Sequence, residues 1–503
     1  MLVDYEKLQN GSDIRGIAIG GAGKKVNLVP QVAKFIAYGF VRMLENKINA
    51  KAENLKIAVG IDSRLSGPDL KAAVIEELTD LGCSVYDCSM ATTPAMFMTT
   101  VLENYKCDGS IMITASHLPY YYNGLKFFTK EGGCEKEDIQ NILSIASKEE
   151  SYNSANLGEV SKVDLIDEYS KILAGMIRRG ADAKVNYDKP LAGFKIVVDA
   201  GNGAGGFFAY KVLKTLGADI TGSQFTDPDG TFPNHIPNPE NKEAMESIRN
   251  AVLENRADLG IIFDTDVDRA AIVDSHGMEI NKNALIALIS SIVLEEHPNS
   301  IIVTDSITST GLGEFINKSG GIHHRFKRGY RNVINEAVRL NNEGKESDLA
   351  IETSGHAALK ENYFLDDGAY LIAKILIKMA KLNAEGKRIE SLIKDLKMPC
   401  ESTDFRIEIR KENFREYGSR IIGDLESYAN RTGFSIVPNN YEGIRVACNK
   451  ANGDGWFLLR LSLHEPVLAL NIESDTKGGT QIIIDKLLPF LEKYDQLEIS
   501  SIK

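Results

Sequence analysis

Cysteine is scarce in this chain. The six residues Cys83, Cys88, Cys107, Cys134, Cys400 and Cys448 form no C-x-x-C pair and are spread too thinly over 503 residues to staple a small secreted scaffold. Reduced thiols and a cytoplasmic location are expected. There is no basic excess either: 58 Lys and Arg stand against 70 Asp and Glu, a net charge of −12. That balance repels polyanions at long range, so no nucleic-acid partner is expected, and an anionic substrate has to be caught by local basic clusters. Long apolar runs are missing as well. The longest, ALIALISSIVL at 284–294, is too short to span a bilayer, and MLVDYEKLQN has neither the basic head nor the apolar core of a signal peptide. No membrane partner is expected. What is present, 43% hydrophobic and 25% charged residues with 43 glycines, describes an ordinary globular protein able to bury several cores.

A chain of this length exceeds one core, and three or four domains follow. Short apolar runs alternate with helical patterns almost from end to end, which predicts parallel βαβ construction. In the first third, LKIAVGID (55–62), PDLKAAVIEELTDLG, SVYDCS and GSIMITA make up such a repeat. The polar stretch RRGADAKVNYDKP precedes a new strand, GFKIVVDAG (193–201), followed by a helix at 207–216 and the strands ADLGIIF and AAIVD. A third unit begins near Gly277 and holds SIIVTDS and DLAIETSG. From Met398 the pattern turns to DFRIEIR, a helix at 412–431, GIRVAC, GWFLLRLSL, VLALNIES and a helix near 479–493, an α+β tail with a mainly antiparallel sheet. The expected domains are 1–162, 163–276, 277–397 and 398–503. In open α/β sheets ligands gather beyond the C-terminal ends of the strands, so the loops there carry the chemistry.

Four such loops stand out. In TASHLPYYYNGLK, Ser116 follows the buried-looking strand GSIMITA and so faces a crevice; His117 adjoins it, Asn123-Gly124 reads as a tight turn, and Lys126 returns a cation just after it. A turn serine is the ordinary reading, but a hydroxyl flanked by basic groups suits carriage of a phosphoryl group, and G-x-S-x-G is absent. In FDTDVDR, the carboxylates of Asp264, Asp266 and Asp268 alternate, so an extended backbone points all three one way, and like charges so placed repel unless a cation sits between them. An all-oxygen set selects a hard metal, Mg²⁺, with Arg269 beside it to neutralise a transferring phosphoryl group. The EF-hand is excluded, since Arg269 and Ser275 occupy the positions that need glycine and glutamate. IETSGHAALK offers Glu352, Ser354 and His356 to the hydroxyls of a polyol, and RLSLHEP offers Arg460, Ser462 and His464 to a phosphate.

Two glycine-rich stretches compete with this reading. GNGAGG at 201–206 fits G-x-G-x-x-G after a strand, with Asp227 following, as a dinucleotide fold wants; it lies mid-chain, however, and leaves the triple-Asp loop without work. GGAGKK lacks the leading glycine and the Ser/Thr of a P-loop.

Taken in order with SDIRG at 12–16, the loops TASHLPYYYNGLK, DTDVDR, ETSGH and RLSLHEP resemble the signature loops of the α-D-phosphohexomutase superfamily, over essentially the whole chain. The resemblance implies three α/β domains of one repeated topology and a C-terminal α+β domain similar to the TATA-binding-protein fold, around a central cleft. Ser116 matches the phosphoserine, and Asp264, Asp266 and Asp268 with a phosphoserine oxygen match the ligands of one Mg²⁺. Arg15, Lys126 and Arg269 match active-site cations. Glu352, Ser354 and His356 match the sugar-reading loop, Arg460 and Ser462 match the distal phosphate clamp, and His117, Gly355 and His464 join the expected substrate-binding groups. Leu118 stands where asparagine is usual, Thr265 where glycine is common, and Leu463 and His464 where a flexible residue and a hydroxyl are common. The basic segment HHRFKRGYRNV puts Lys327, Arg328 or Arg331 within the expected reach of substrate.

The implied activity interconverts hexose 1-phosphate and hexose 6-phosphate. Phosphorylated Ser116 gives its phosphoryl group to a hexose monophosphate, and the hexose 1,6-bisphosphate turns over and returns its other phosphate. Lys126 or His356 serves as base, the C-terminal domain moves as a lid, and the protein is a monomer or homodimer. Two alternatives use the same loops: a sugar phosphatase of the haloacid dehalogenase type, working through D-x-D at Asp264 and Asp266, and a non-catalytic sugar-phosphate-binding protein.

Overall fold

The computed structural model describes residues 3–21, 23–152, 154–432, 434–462 and 465–502. The chain divides into two compact units, one of Met1–Leu285 with Ser354–Ser391 and the other of Ile286–Thr353 with Leu392–Lys503.

The first unit is built on two sheets. In the larger, Lys56–Ile61 lies between Gly109–Ile113 and Ser84–Met90, all parallel, with Val160–Lys162 beyond Ser84–Met90. These strands are buried runs of Ile, Val and Ala because both faces are covered. The helices Pro30–Ile48, Gly67–Asp80 and Lys136–Ala146 fill one face with Phe40, Leu44, Leu78 and Ile142, and Thr93–Val101 lies against the same strands. The far side of this sheet departs from the all-parallel expectation. Tyr122–Thr129 runs antiparallel to Gly109–Ile113, and Asp13–Ile17 antiparallel to Tyr122–Thr129. The loop between Ile113 and Tyr122 is too short for a crossover helix, so the chain can only turn back. Asn123-Gly124, read from sequence as a tight turn, lies inside that returning strand.

The second sheet orders Glu279–Ile280, Ala270–Asp274, Leu259–Phe263 and Ile196–Asp199, with only the last pair parallel. Lys242–Asn255 covers one face through Met245, Ile248 and Val252. The helix expected at 207–216 is instead a 3-10 turn, Ala204–Gly206, followed by a π-helical stretch, Phe208–Leu213. Glycine is required at 206, where a Cβ would stand 2.1 Å from the Thr226 carbonyl oxygen. Leu165–Ala181 and Gly368–Ala384 pack against each other within the same unit.

In the second unit, Ile301–Thr304 pairs in parallel with Ile322–Arg325 and Leu349–Ile351, flanked by Thr310–Lys318 and Tyr330–Asn342. The C-terminal sheet runs Ser435–Ile436, Ile444–Cys448, Gly455–Leu461, Val467–Ser474, Glu401–Ile409 and Leu497–Glu498, antiparallel throughout. Phe414–Thr432 and Gly479–Leu491 close one face over Val446, Phe457, Leu459 and Leu470, in keeping with the α+β tail expected from sequence. No helix among the described residues is long and apolar enough to cross a membrane.

Candidate active site

Ser116 closes the strand Gly109–Ile113 with a left-handed backbone, φ 48°, which a non-glycine residue adopts only when its surroundings hold it there. Its amide donates to Thr114 Oγ1 at 2.9 Å. The crevice serine expected from sequence is in fact only 3% exposed, because its hydroxyl is turned inward onto the second loop. Ser116 Oγ donates to Asp264 Oδ2 at 3.0 Å and accepts from Arg269 Nη2 at 3.2 Å. His117 Nδ1 lies 2.7 Å from the same Nη2. Burial first, then the charge of Arg269, hold the imidazole neutral, its pKa down to about 3.

The acidic loop is a tight turn with Val267 left-handed at φ 67°, where sequence reasoning expected an extended segment. The turn still brings the carboxylates together: Asp264, Asp266 and Asp268 present oxygens within 4.8 Å of one another, all three fully buried. Burial, then the neighbouring Asp268 charge, push Asp264 well above the usual carboxylate range. Burial would raise Asp268 too, but Lys126, His356 and Arg269 outweigh it and hold that carboxyl well below the range. The glycine-rich stretch that imitated a dinucleotide site buttresses this turn instead. The Ala204 amide donates to the Thr265 carbonyl at 2.8 Å, and a Cβ on Gly203 would stand 2.6 Å from that oxygen.

Cations surround the turn. Lys126 Nζ lies 2.5 Å from Asp268 Oδ2 and 3.1 Å from Asp266 Oδ2. Arg269 Nε donates to Asp264 Oδ2 at 3.1 Å. Arg15 sits on the neighbouring strand opposite Gly124, tied to Asp13 at 2.8 Å. His356 forms a bridge with the Arg269 backbone, with Nε2 3.6 Å from Asp268 Oδ1 and Nδ1 2.9 Å from Ser354 Oγ. Gly355 between them is left-handed, φ 96°.

The remaining residues named from sequence belong to the second unit. The Glu352 carboxylate accepts the Gly329 amide at 2.6 Å ahead of the helix Tyr330–Asn342. Lys327 Nζ stands 5.8 Å over the Phe326 ring. Arg460 is the penultimate residue of the strand Gly455–Leu461, and Ser462 follows the strand, its amide donating to the Val467 carbonyl at 2.8 Å and its Oγ accepting the Glu465 amide. Leu463 and His464 lie outside the described residues. Glu442, which sequence reasoning passed over, accepts from the Ser306 hydroxyl and from the Arg328 amide.

Three contacts in the first unit also escaped the sequence. Thr93, at the start of its helix, donates its hydroxyl to Asp266 Oδ2 and its amide to the Asp266 carbonyl. Asn238 Oδ1 and Glu240 Oε2 lie 3.2 and 3.5 Å from Arg269 Nη1. No spacing signals them, since each is distant in sequence from the group it touches. The segment holding Asn238 and Glu240 is anchored by His235, whose Nε2 meets both Asp199 oxygens at 3.0 Å and whose Nδ1 meets the Ile236 carbonyl.

That anchor predicts a pH dependence. Burial alone would lower the His235 pKa, but the Asp199 bond and charge outweigh it and raise it. A raised folded pKa means that the stabilisation is complete below the unfolded value near 6.5 and fades as pH climbs through the folded one. His235→Gln keeps a bond to Asp199 without the charge. Thermal melts from pH 5.5 to 9 should show the parent's advantage largest at the acid end and shrinking toward pH 9; a gap independent of pH would contradict this.

Known proteins provide a comparison. The alpha/beta/alpha domains I, II and III of phosphoglucomutase/phosphomannomutase match residues 6–153, 176–277 and 281–398. The chain is 30% identical to a phosphoglucomutase of Neisseria gonorrhoeae over 487 residues, 96% of each chain. It is 32% identical to a phosphomannomutase/phosphoglucomutase of Pseudomonas putida over 431 residues, 86% of each. The crystal structure of a phosphoglucomutase/phosphomannomutase family protein from Burkholderia thailandensis superposes with a TM-score of 0.80 at 27% identity, covering 98% of both chains. With three α/β domains, a fourth mixed one and relatives matching along nearly its whole length, the chain belongs to the phosphoglucomutase/phosphomannomutase family, and is a phosphohexomutase, an isomerase.

Proposed function

We propose that this mutase interconverts the 1- and 6-phosphates of glucose and mannose through a phosphoserine at Ser116. The observation that carries the reading is that Ser116 Oγ lies 3.0 Å from Asp264 and 3.2 Å from Arg269, between a carboxylate cluster and a cation. Asp266 Oδ1 and Asp268 Oδ1 are buried with no hydrogen-bond partner. Buried carboxylate oxygens without a hydrogen bond are costly, and the convergence of Asp264, Asp266 and Asp268 as an all-oxygen set fits Mg²⁺. Asp264, Asp266 and Asp268, with an oxygen of phosphorylated Ser116, would hold it. Bound there, the ion neutralises charge on the transferring phosphoryl group.

The chain's own groups do the rest. Arg269 spans Asp264 and the serine hydroxyl, so its guanidinium draws a phosphoryl oxygen toward Oγ and spreads the charge of the loose transition state. Lys126 and Arg15 add positive charge on adjacent strands. The attacking sugar hydroxyl must lose a proton, and Lys126 and His356, both facing Asp268, are the candidate acceptors. His117, Glu352, Ser354, Gly355 and Lys327 are assigned to substrate binding, and Arg460, Ser462 and His464 to a phosphate. A hexose 1,6-bisphosphate then serves as intermediate and activator, the domains divide at 162, 276 and 397, and the protein works in the cytoplasm as a monomer or homodimer.

The phosphatase reading is not favoured. It makes Asp264 the nucleophile, yet Asp264 Oδ2 already accepts from both Ser116 and Arg269. The test is a panel of glucose, mannose and glucosamine phosphates assayed for isomer formation, with intact-mass analysis of Ser116. Isomer formation from glucose and mannose phosphates with one phosphate on Ser116 is expected. Release of inorganic phosphate without isomer, or an unmodified Ser116 during turnover, would overturn it.

A further inference from the structure

The loop that carries Ser116 turns around a single buried side chain. Arg64, only 1% exposed, sends Nη1 to the carbonyl oxygens of Pro119 and Tyr122, both at 2.9 Å, and Nη2 to those of Ser116 and of Leu118, the latter at 2.6 Å. Its Nε faces Asp62 Oδ2 at 3.3 Å. Asp62 is held in turn: Oδ2 accepts the Thr114 hydroxyl at 2.6 Å, and Oδ1 accepts the Arg64 amide at 2.9 Å. Thr114 Oγ1 accepts the Ser116 amide at 2.9 Å and so completes a circuit from Arg64 back to Ser116. On its other side the guanidinium lies 5.2 Å from the Phe232 ring, and a Cβ on Gly230 would stand 2.4 Å from the Ser63 carbonyl oxygen, so the segment before His235 closes tightly over it.

We infer that Arg64 is the positioning residue of the phosphoryl-carrying loop, fixing where Ser116 Oγ sits relative to Asp264 and Arg269 without touching phosphate or sugar. The inference rests on Ser116 being the phosphoryl carrier. Four backbone carbonyls within seven residues point at one buried place; that of Pro119 also accepts the Tyr122 amide at 2.9 Å, while those of Ser116, Leu118 and Tyr122 depend on the guanidinium. The left-handed backbone of Ser116 is strained and persists only where neighbours over-determine it. Only arginine meets the demand. Its planar fork carries five N–H donors, whereas a lysine has three on one nitrogen and cannot reach four diverging oxygens and a carboxylate.

Arg64→Lys therefore keeps the charge and loses the fork. A small displacement of a reacting atom costs on the order of 100-fold in rate. Assayed well below its melting temperature with glucose 1-phosphate and glucose 1,6-bisphosphate, Arg64→Lys should lose about 100-fold in kcat with KM within about threefold. Loading of dephosphorylated Ser116 by glucose 1,6-bisphosphate, followed by intact mass, should slow to match. Thr114→Val breaks the same circuit with almost no change of volume and should slow loading about tenfold; it carries the comparison if Arg64→Lys does not fold. A purely structural role would lower the melting temperature and leave the folded enzyme's kcat and loading within about twofold of the parent, and that result overturns the inference. A parent that never loads Ser116 overturns the carrier assignment and this inference together; a parent and variants that load equally fast overturn this inference alone.

Discussion

Ser116→Ala is expected to lose mutase turnover by a factor on the order of 10⁴ or more while melting within a few degrees of the parent. The variant removes one oxygen from a site where that oxygen has only polar partners, Asp264, Arg269 and His117, so no apolar contact is lost. The strand before it, Gly109–Ile113, draws its stability from Ile111 and Ile113, both fully buried, and keeps its packing. Alanine also tolerates the left-handed φ about as poorly as serine does, so the strain term barely changes. The loss therefore reports chemistry. Glucose 1-phosphate with its bisphosphate activator should give no isomer, and intact mass should find no phosphoryl group on the variant. Turnover within tenfold of the parent would remove Ser116 from the mechanism.

Asp266→Asn should cost about 10³-fold in kcat, the several kcal/mol that a divalent cation contributes at roughly 1.4 kcal/mol per decade. The amide keeps the shape of the side chain and one oxygen but removes a negative charge from the trio. Asp266 makes the point well because its Oδ2 is already engaged by Thr93 and Lys126 while its Oδ1 has no hydrogen-bond partner. A second readout separates cation binding from catalysis. A ligand that binds only the folded state at a hundred times its Kd stabilises by about 2.7 kcal/mol, so saturating Mg²⁺ should raise the parent's melting temperature, EDTA should reverse the rise, and the variant should respond much less. Equal magnesium shifts in both proteins would place the cation elsewhere.

Part of this was legible in the residues. An apolar strand followed by Ser-His, three aspartates at alternate positions and Glu-x-Ser-x-His are local statements, and each marks its own loop. The C-terminal α+β tail was legible from the change of pattern near Met398, and its strand Glu401–Ile409 alternates more and less exposed positions, a period of two. The all-parallel reading of the first three domains failed at Tyr122–Thr129 and Ala270–Asp274. Continuous burial of a strand reveals that both faces are covered but says nothing of its direction. The acidic loop was expected in an extended form and is a turn, because Val267 takes a conformation that a β-branched residue rarely adopts and that no residue pattern announces.

What the sequence alone determined is which groups this protein possesses at the ends of its strands: a hydroxyl, an oxygen-only acidic trio and the basic residues to balance it. The tertiary structure decided that they meet. Ser116 and Asp264 are 148 positions apart, and Lys126 and Asp268 are 142 apart. What brings them into contact is the burial of apolar faces far from either loop, which orients the strand ends. Thr93, Asn238, Glu240 and Arg64 acquire their tasks the same way. A hydrogen bond acts over about 3 Å, and only the packing of whole domains decides which atoms come that close.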